Sequence, residues 1–521
     1  MHWAALTSFV GVASAYIQPF NPVQQAVTPR LPGDTSTAGH GKLEFFDQLI
    51  DHSNPSLGTF KQRYWWNTDH YGGPHSPIVL ESPGEAAVGT DGDLSNMGNS
   101  SLPGLLAQDN QGAYIIIEHR YFGPSTPFTD LNTETLQHMT LDNAVQDLIY
   151  FAKNVVFPFD TTNGTATKPD QAPWLLSGCS YSGALSAWTQ SLAPGTFWAY
   201  EAGSAVVQTV EQFWEYYAPI KNSMPKNCTA DFQRIIKHTD DVLIHGNDTA
   251  KKTLKDKFAL GNYTDKEFAN VITNWITVQQ SHQAYRHVND LTLLCDFVEN
   301  QRPTKMVPVP GPDGVGLELA LDGLARVYTN TTDKVLAGVK ARSGVDWRSL
   351  NGRSDIATTE INPWTWFLCN EPFEWWQSWS RFDNTGFQSR LWSWKDDIHG
   401  VCDRNFPDKN GFQYGLKAGR TYHGVNKHTG GWRKVDTKRL VWINGEFDPW
   451  RPATVSWEGR PGGALESTED HPVYVIKNAG HCNDYVAANA GSVEGKAIFE
   501  ATLGHFRKWV AEFYEEHPHA K

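Results

Sequence analysis

The chain is poor in the signatures that mark metal and nucleotide enzymes. It holds no HExxH and no GxxxxGK[ST], so neither a zincin helix nor a phosphate-cradling P-loop can be drawn from it. Cysteine is scarce, with 6 in 521 residues and no CxxC pair. An even count without such a pair suits structural disulfides better than a zinc site. Positive charge is also in short supply: 44 Lys and Arg stand against 57 Asp and Glu, a net charge of −13. Nucleic-acid binding needs clustered cations to displace counterions, so that class of partner is excluded. No run approaches the ~18 apolar residues of a membrane span. No internal repeat is visible, and nothing calls for a metal or other cofactor.

What is present points to export. The first residues, "MHWAALTSFVGVASAYIQPF", carry a short apolar run that ends in Ala13-Ser14-Ala15, a small-residue cleavage pattern. Residues 1–15 therefore read as a signal peptide. Residues 16–42, rich in Pro, Gly and Thr, read as a flexible or propeptide-like segment. Six N-x-S/T sequons, at Asn99, Asn163, Asn227, Asn247, Asn262 and Asn330, suit a secreted glycoprotein, whereas Asn54 is ruled out by Pro55. The destination is extracellular, or alternatively an acidic lysosome- or vacuole-like compartment.

From residue 43 short apolar runs alternate with turn residues: "PIVLES" at 77–82, "AYIIIEHR" at 113–120 and "PWLLSG" at 173–178. Continuous apolar runs of this length suit strands of a parallel sheet buried on both faces. Leu141, Val145, Leu148 and Phe151 place a helix between the last two, which gives strand–helix–strand grammar. From about 211 to 432 the spacing turns helical. Phe232, Ile235, Ile236, Val242 and Leu243 share one face, and Ala284, Val288, Leu291, Cys295 and Val298 another. Strands return at "RLVWIN" (439–444) and "PVYVIK" (472–477), and Phe499, Leu503, Phe506, Val510 and Phe513 mark a closing helix. The reading is an α/β-hydrolase fold in two parts, 43–210 and 433–521, with a large mainly helical cap, 211–432, inserted between nucleophile and catalytic acid.

The stretch "SGCSYSGALSAW" at 177–188 offers two serines for a nucleophile elbow, a tight turn from strand to helix. Residues two before and two after the nucleophile must be small, because strand and helix backbones pass close there. Gly178 and Ser182 meet that need around Ser180. Choosing Ser182 would place bulky Tyr181 before the nucleophile and leave Gly178 without a role. Ser180 is therefore the better nucleophile, with the Tyr181 amide available to an oxyanion hole. Asp448 in "WINGEFDPW" follows one returning strand, and His481 in "VIKNAGHCNDY" follows the next. The chain order Ser, Asp, His is that of α/β-hydrolases. Glu446 and Asp484 are competing acids of lower rank, one close to the strand and one beyond the histidine. An esterase or lipase-like hydrolase, and a non-catalytic binding protein on a hydrolase fold, are the alternative functions.

These residues resemble a family. "FDQLIDH" (46–52), "EHRYFGPSTP" (118–127), "GCSYSG" (178–183), "FLCNEPF" (367–373), "NGEFDPW" (444–450) and "AGHCND" (479–484) are similar to the secreted serine peptidases that include prolyl carboxypeptidase and dipeptidyl peptidase II, and nearest to the fungal acid prolyl endopeptidases. The resemblance implies a triad of Ser180, Asp448 and His481, and cleavage of proline-containing peptides on the carboxyl side of proline in acid. It implies a proline pocket lined by Trp450, and an oxyanion contribution around Gly84 and Glu85. It also implies disulfides Cys228–Cys295 and Cys369–Cys402, leaving Cys179 and Cys482 free. Cys179 stands where relatives commonly have glycine, and Gly203-Ser204-Ala205-Val206-Val207 lacks the proline of the corresponding family stretch. A triad that works in acid needs a neutral His481, and desolvation beneath a tryptophan-rich cap is the available cause.

Overall fold

A computed structural model describes residues 41–88, 97–286, 288–299, 310–330, 333–343, 362–393, 399–433 and 435–520. The expected signal peptide, and nearly all of the segment that follows it, lie outside these residues.

Eight strands form one sheet. They are β1 (Lys42–Leu49), β2 (Thr59–Asn67), β3 (Ile78–Glu81), β4 (Ala113–Ile117), β5 (Trp174–Cys179), β6 (Ala199–Gly203), β7 (Leu440–Gly445) and β8 (Val473–Ile476). Their spatial order is β1-β2-β4-β3-β5-β6-β7-β8. β1 pairs antiparallel with β2 and β2 antiparallel with β4, whereas β3 to β8 run parallel. The apolar runs are explained by two covered faces. Alternate side chains of a strand point to opposite sides. Trp174 and Leu176 of β5 enter one core with Ile78, Leu80, Ile115 and Ile117, while Leu175 enters the other with Val79, Tyr114 and Ile116.

Helices close both faces. α1 (Leu102–Asp109) packs on the second face and begins where the Ser101 hydroxyl accepts from Gly104 N. α2 (Leu141–Asn154), capped by Thr140, and α3 (Tyr181–Leu192) pack on the first. Between β6 and β7 lie the cap helices. They include α4 (Lys226–His245), α5 (Asp265–Asn274), α6 (Asp290–Val298), α7 (Leu317–Thr329) and α8 (Pro363–Asn370). A Thr264–Glu267 capping box starts α5. The last helix, α9 (Lys496–Glu516), buries Phe499, Phe506, Val510 and Phe513. This is the α/β-hydrolase fold with a helical insertion.

Two sequence expectations need correction. The face drawn through Ala284 and Val288 is not helical there. α6 begins only at Asp290, where Asn289 Oδ1 accepts from Leu291 N, and Val288 is exposed. The preceding residues spend their backbone groups elsewhere: Ala284 N donates to Asn483 Oδ1 at 2.7 Å. Cys179 and Cys482 are not free but bonded to each other. The end of β5 and the loop after β8 lie at the same end of the sheet, which brings the two Cα atoms to 5.8 Å. The other cysteines pair as Cys228–Cys295 and Cys369–Cys402.

Candidate active site

Ser180 stands between the end of β5 and the start of α3, with φ 64° and ψ −128°. For a residue with a Cβ this left-handed region is strained, and such strain gathers at functional turns. The turn is held by Ser180 N donating to Gly203 O at 2.9 Å. Only glycine fits beneath it. A Cβ on Gly178 would lie 2.5 Å from Ser182 O, and one on Gly183 would lie 2.4 Å from Gly203 O. The close approach of residues 178 and 182 is the crowding expected around Ser180. Ser182, by contrast, is buried, and its hydroxyl has no hydrogen-bond partner among the described residues.

Asp448 and His481 meet each other. Asp448 follows β7, is fully buried, and accepts from Trp450 N at 2.8 Å through Oδ1. Both carboxylate oxygens face His481 Nδ1 at 2.9 Å. His481 Nε2 is buried and makes no hydrogen bond among the described residues, so it is free to accept from a hydroxyl. The cap supports the histidine loop: Gly480 N donates to His282 O and His481 N to Gln280 O. The rival acids stand elsewhere. Glu446 binds Lys477 and Asn478 N. Asp484 lies against Gly203 beside Glu201, and burial pushes its carboxyl up to about 6. Glu201 is raised well above the carboxylate range, by burial first and by Asp484 second.

The loop after β3 lies beside the elbow. Gly84 has φ 84°, and a Cβ there would come within 2.6 Å of Ser182 Oγ. Burial pushes the neighbouring Glu85 carboxyl up to about 7, against smaller opposing effects of its own amide and of His481. Tyr181 N belongs to the first turn of α3, where helix amides have no intrahelical acceptor. The Tyr181 ring reaches the cap. Its hydroxyl is 3.0 Å from His119 Nε2, and its ring packs against Trp364, Phe367 and Phe373. Burial holds His119 down at about 4, so it stays neutral over most of the acid range.

Trp450 is buried, with its ring 6.2 Å from that of His481. Phe213 and Tyr216 flank it at 5.6 and 5.3 Å, and Gln280 Oε1 accepts from both Trp450 Nε1 and Tyr216 OH. Phe213, Tyr216 and Gln280 have no motif in the sequence. Only the folding of the cap brings them here. Other quoted stretches build support: Glu118 pairs with Arg63, and Arg120 and His52 meet on Asp147, all in buried or nearly buried positions. Cys179, His481 and Cys482 lie close together, but the two sulfurs are spent on each other. Among the sequons, Asn99, Asn163, Asn247 and Asn262 are exposed. Asn227 Nδ2 donates to Glu299, a bond that a glycan on that nitrogen would have to displace.

Residues 48–495 match the family described as serine carboxypeptidase S28. The chain belongs to the serine carboxypeptidase S28 family. It is a serine-type peptidase. Within the family it is 34% identical to serine protease vicPb of Bipolaris victoriae (strain FI3), over 96% of this chain and 95% of that one. It is 33% identical to serine protease vicPa of the same fungus, over 99% and 96%. A probable extracellular serine carboxypeptidase of Arthroderma benhamiae is 26% identical over 79% of this chain and 58% of its own.

Proposed function

We propose that this S28 peptidase is secreted and cleaves peptide bonds on the carboxyl side of proline in acid, through a triad of Ser180, His481 and Asp448. The observation that carries the proline reading is the Trp450–Phe213–Tyr216 cluster beside His481. Proline has a compact apolar ring and no amide proton, so a rigid aromatic wall suits it and no acceptor is needed for its nitrogen.

Ser180 Oγ attacks the prolyl carbonyl. His481 Nε2 takes the hydroxyl proton and later gives it to the leaving amine, while Asp448 holds the imidazole by Nδ1. Nδ1 donating to Asp448 fixes the tautomer that leaves Nε2 able to accept. The Tyr181 amide and the loop at Gly84 and Glu85 bind the oxyanion. A carboxyl displaced to about 7 is protonated in acid and can donate, which suits Glu85 to this task below neutrality. Water then hydrolyses the acyl-enzyme by the same route.

The test is a substrate comparison at pH 5. A Gly-Pro anilide should be cleaved far faster than a Gly-Ala anilide, and a fatty-acyl ester should be a poor substrate. Preference for the ester would sink the proline reading. The fungal relative named as extracellular supports secretion, and sequencing the N-terminus of protein recovered from culture medium tests it.

A further inference from the structure

The Cys179–Cys482 bridge joins the residue before Ser180 to the residue after His481. These cysteines are 303 residues apart, and the whole cap is threaded between them. Strand pairing does not unite these positions, because β6 and β7 lie between β5 and β8. Other contacts tie the loops together as well, and Tyr485 packs against both cysteines and donates to Glu81 on β3. Cys482 N donates to Ser204 Oγ at 3.0 Å, and Asp484 meets Glu201, which itself accepts from Ser177 Oγ and Gly178 N on β5. The histidine loop also hangs from the cap through Gly480 and His481. Any displacement of these cap residues would therefore act on the loop that carries His481, and the bridge is the covalent tie between that loop and the end of β5. Misplacement by about 1 Å can cost about a hundredfold in rate.

We propose that the Cys179–Cys482 bridge is a positioning element of the reaction: it keeps His481 in register with Ser180, and its reduction by a dithiol slows acylation while the protein stays folded. In that step the bridge takes two electrons and two protons, and the dithiol closes into its own cyclic disulfide. Cys179 is 8% exposed, whereas the cysteines of the other two bridges are at most 1% exposed, so the reductant meets this bridge first. The proposal rests on the roles given above to Ser180 and His481.

The experiment follows covalent labelling of Ser180 by a fluorophosphonate, at pH 5 and well below the melting temperature. Three samples are compared: oxidised protein, protein reduced by dithiothreitol only at Cys179–Cys482 as verified by thiol mass mapping, and the Cys179→Ser/Cys482→Ser variant. Opening the bridge should lower the labelling rate constant at least tenfold while labelling still reaches completion. On a prolyl anilide kcat should fall by a similar factor with KM little changed, and reoxidation should restore both. A merely structural bridge would lower the fraction that labels and leave the rate constant alone, and that result overturns the proposal. So does an unchanged rate. If the double variant fails to fold, the selectively reduced native chain decides. Failure of the oxidised protein to label at Ser180 would instead sink the triad assignment, which keeps the two failures apart.

Discussion

Two serines separated by one residue have opposite surroundings. Ser180 occupies the strained turn and is partly exposed, while Ser182 is buried against Gly84. Ser180→Ala should lower kcat at least about a thousandfold with melting unchanged. Ser182→Ala should keep substantial activity, because its hydroxyl has no hydrogen-bond partner among the described residues. Steady-state assays on the prolyl anilide decide between them. Glu85 yields a sharper result. If its acid form donates to the oxyanion, activity falls as pH rises through about 7 and the proton leaves. Glu85→Gln keeps a donor that does not ionise, so the alkaline limb of kcat/KM should move up by at least about one pH unit. Glu85→Ala should cost about a hundredfold or more at pH 5. An alkaline limb that stays in place in Glu85→Gln removes Glu85 from the oxyanion hole.

At the level of elements, the histidine loop is fitted between the sheet and the cap. A Cβ on Gly480 would lie 2.7 Å from Gln279 O, 2.7 Å from His282 O and 2.8 Å from Gln280 O. Three backbone oxygens cannot all retreat, so Gly480→Ala should displace the loop and lower kcat at least tenfold, read by the same assay. This seat was not legible in the sequence. The apolar strands β3, β4, β5, β7 and β8 were legible, because branched and aromatic residues crowd them. β6 was not: "AYEAG" carries no β-branched residue, and its place is fixed by pairing with β5 and β7. Likewise the helical spacing through Ala284 misled, because Asn289 starts α6 later and residues 279–284 bind the histidine loop instead. The Asp448–His481 contact follows strands that could be recognised. The bridge between Cys179 and Cys482 depends on a strand end and a loop that only the finished sheet brings together.

Across the molecule, buried carboxyls set the pH response of stability. Burial pushes Glu81, Glu85, Glu215 and Glu299 up to about 7 and Asp484 up to about 6. A carboxyl raised in the folded state binds its proton more tightly than the unfolded chain does. Its stabilising contribution is complete below the ordinary carboxylate value and is lost as pH rises through the folded value. His119 and His282, held down at about 4 by burial, work the other way and weaken the fold as pH falls toward that value. The carboxyls outnumber them, so the melting temperature should be higher at pH 5 than at pH 8, by at least about 5 °C. Scanning calorimetry in matched ionic strength measures this, and equal or reversed values would contradict it. One feature of the chain path bears on how such enzymes diversify. β6 and β7 are adjacent and parallel, with Gly203 paired to Ile443, so both ends of the insertion leave the sheet at neighbouring strands. Topologically the cap could be traded for another as a cassette. Yet one continuous apolar core runs from Trp174 and Leu176 through Tyr181 and Phe373 to Phe232 and Trp275. A foreign cap would have to reproduce that seam, so new substrate ranges are more readily reached by replacing single side chains around Trp450, if it is the proline wall proposed above, than by exchanging the module whole.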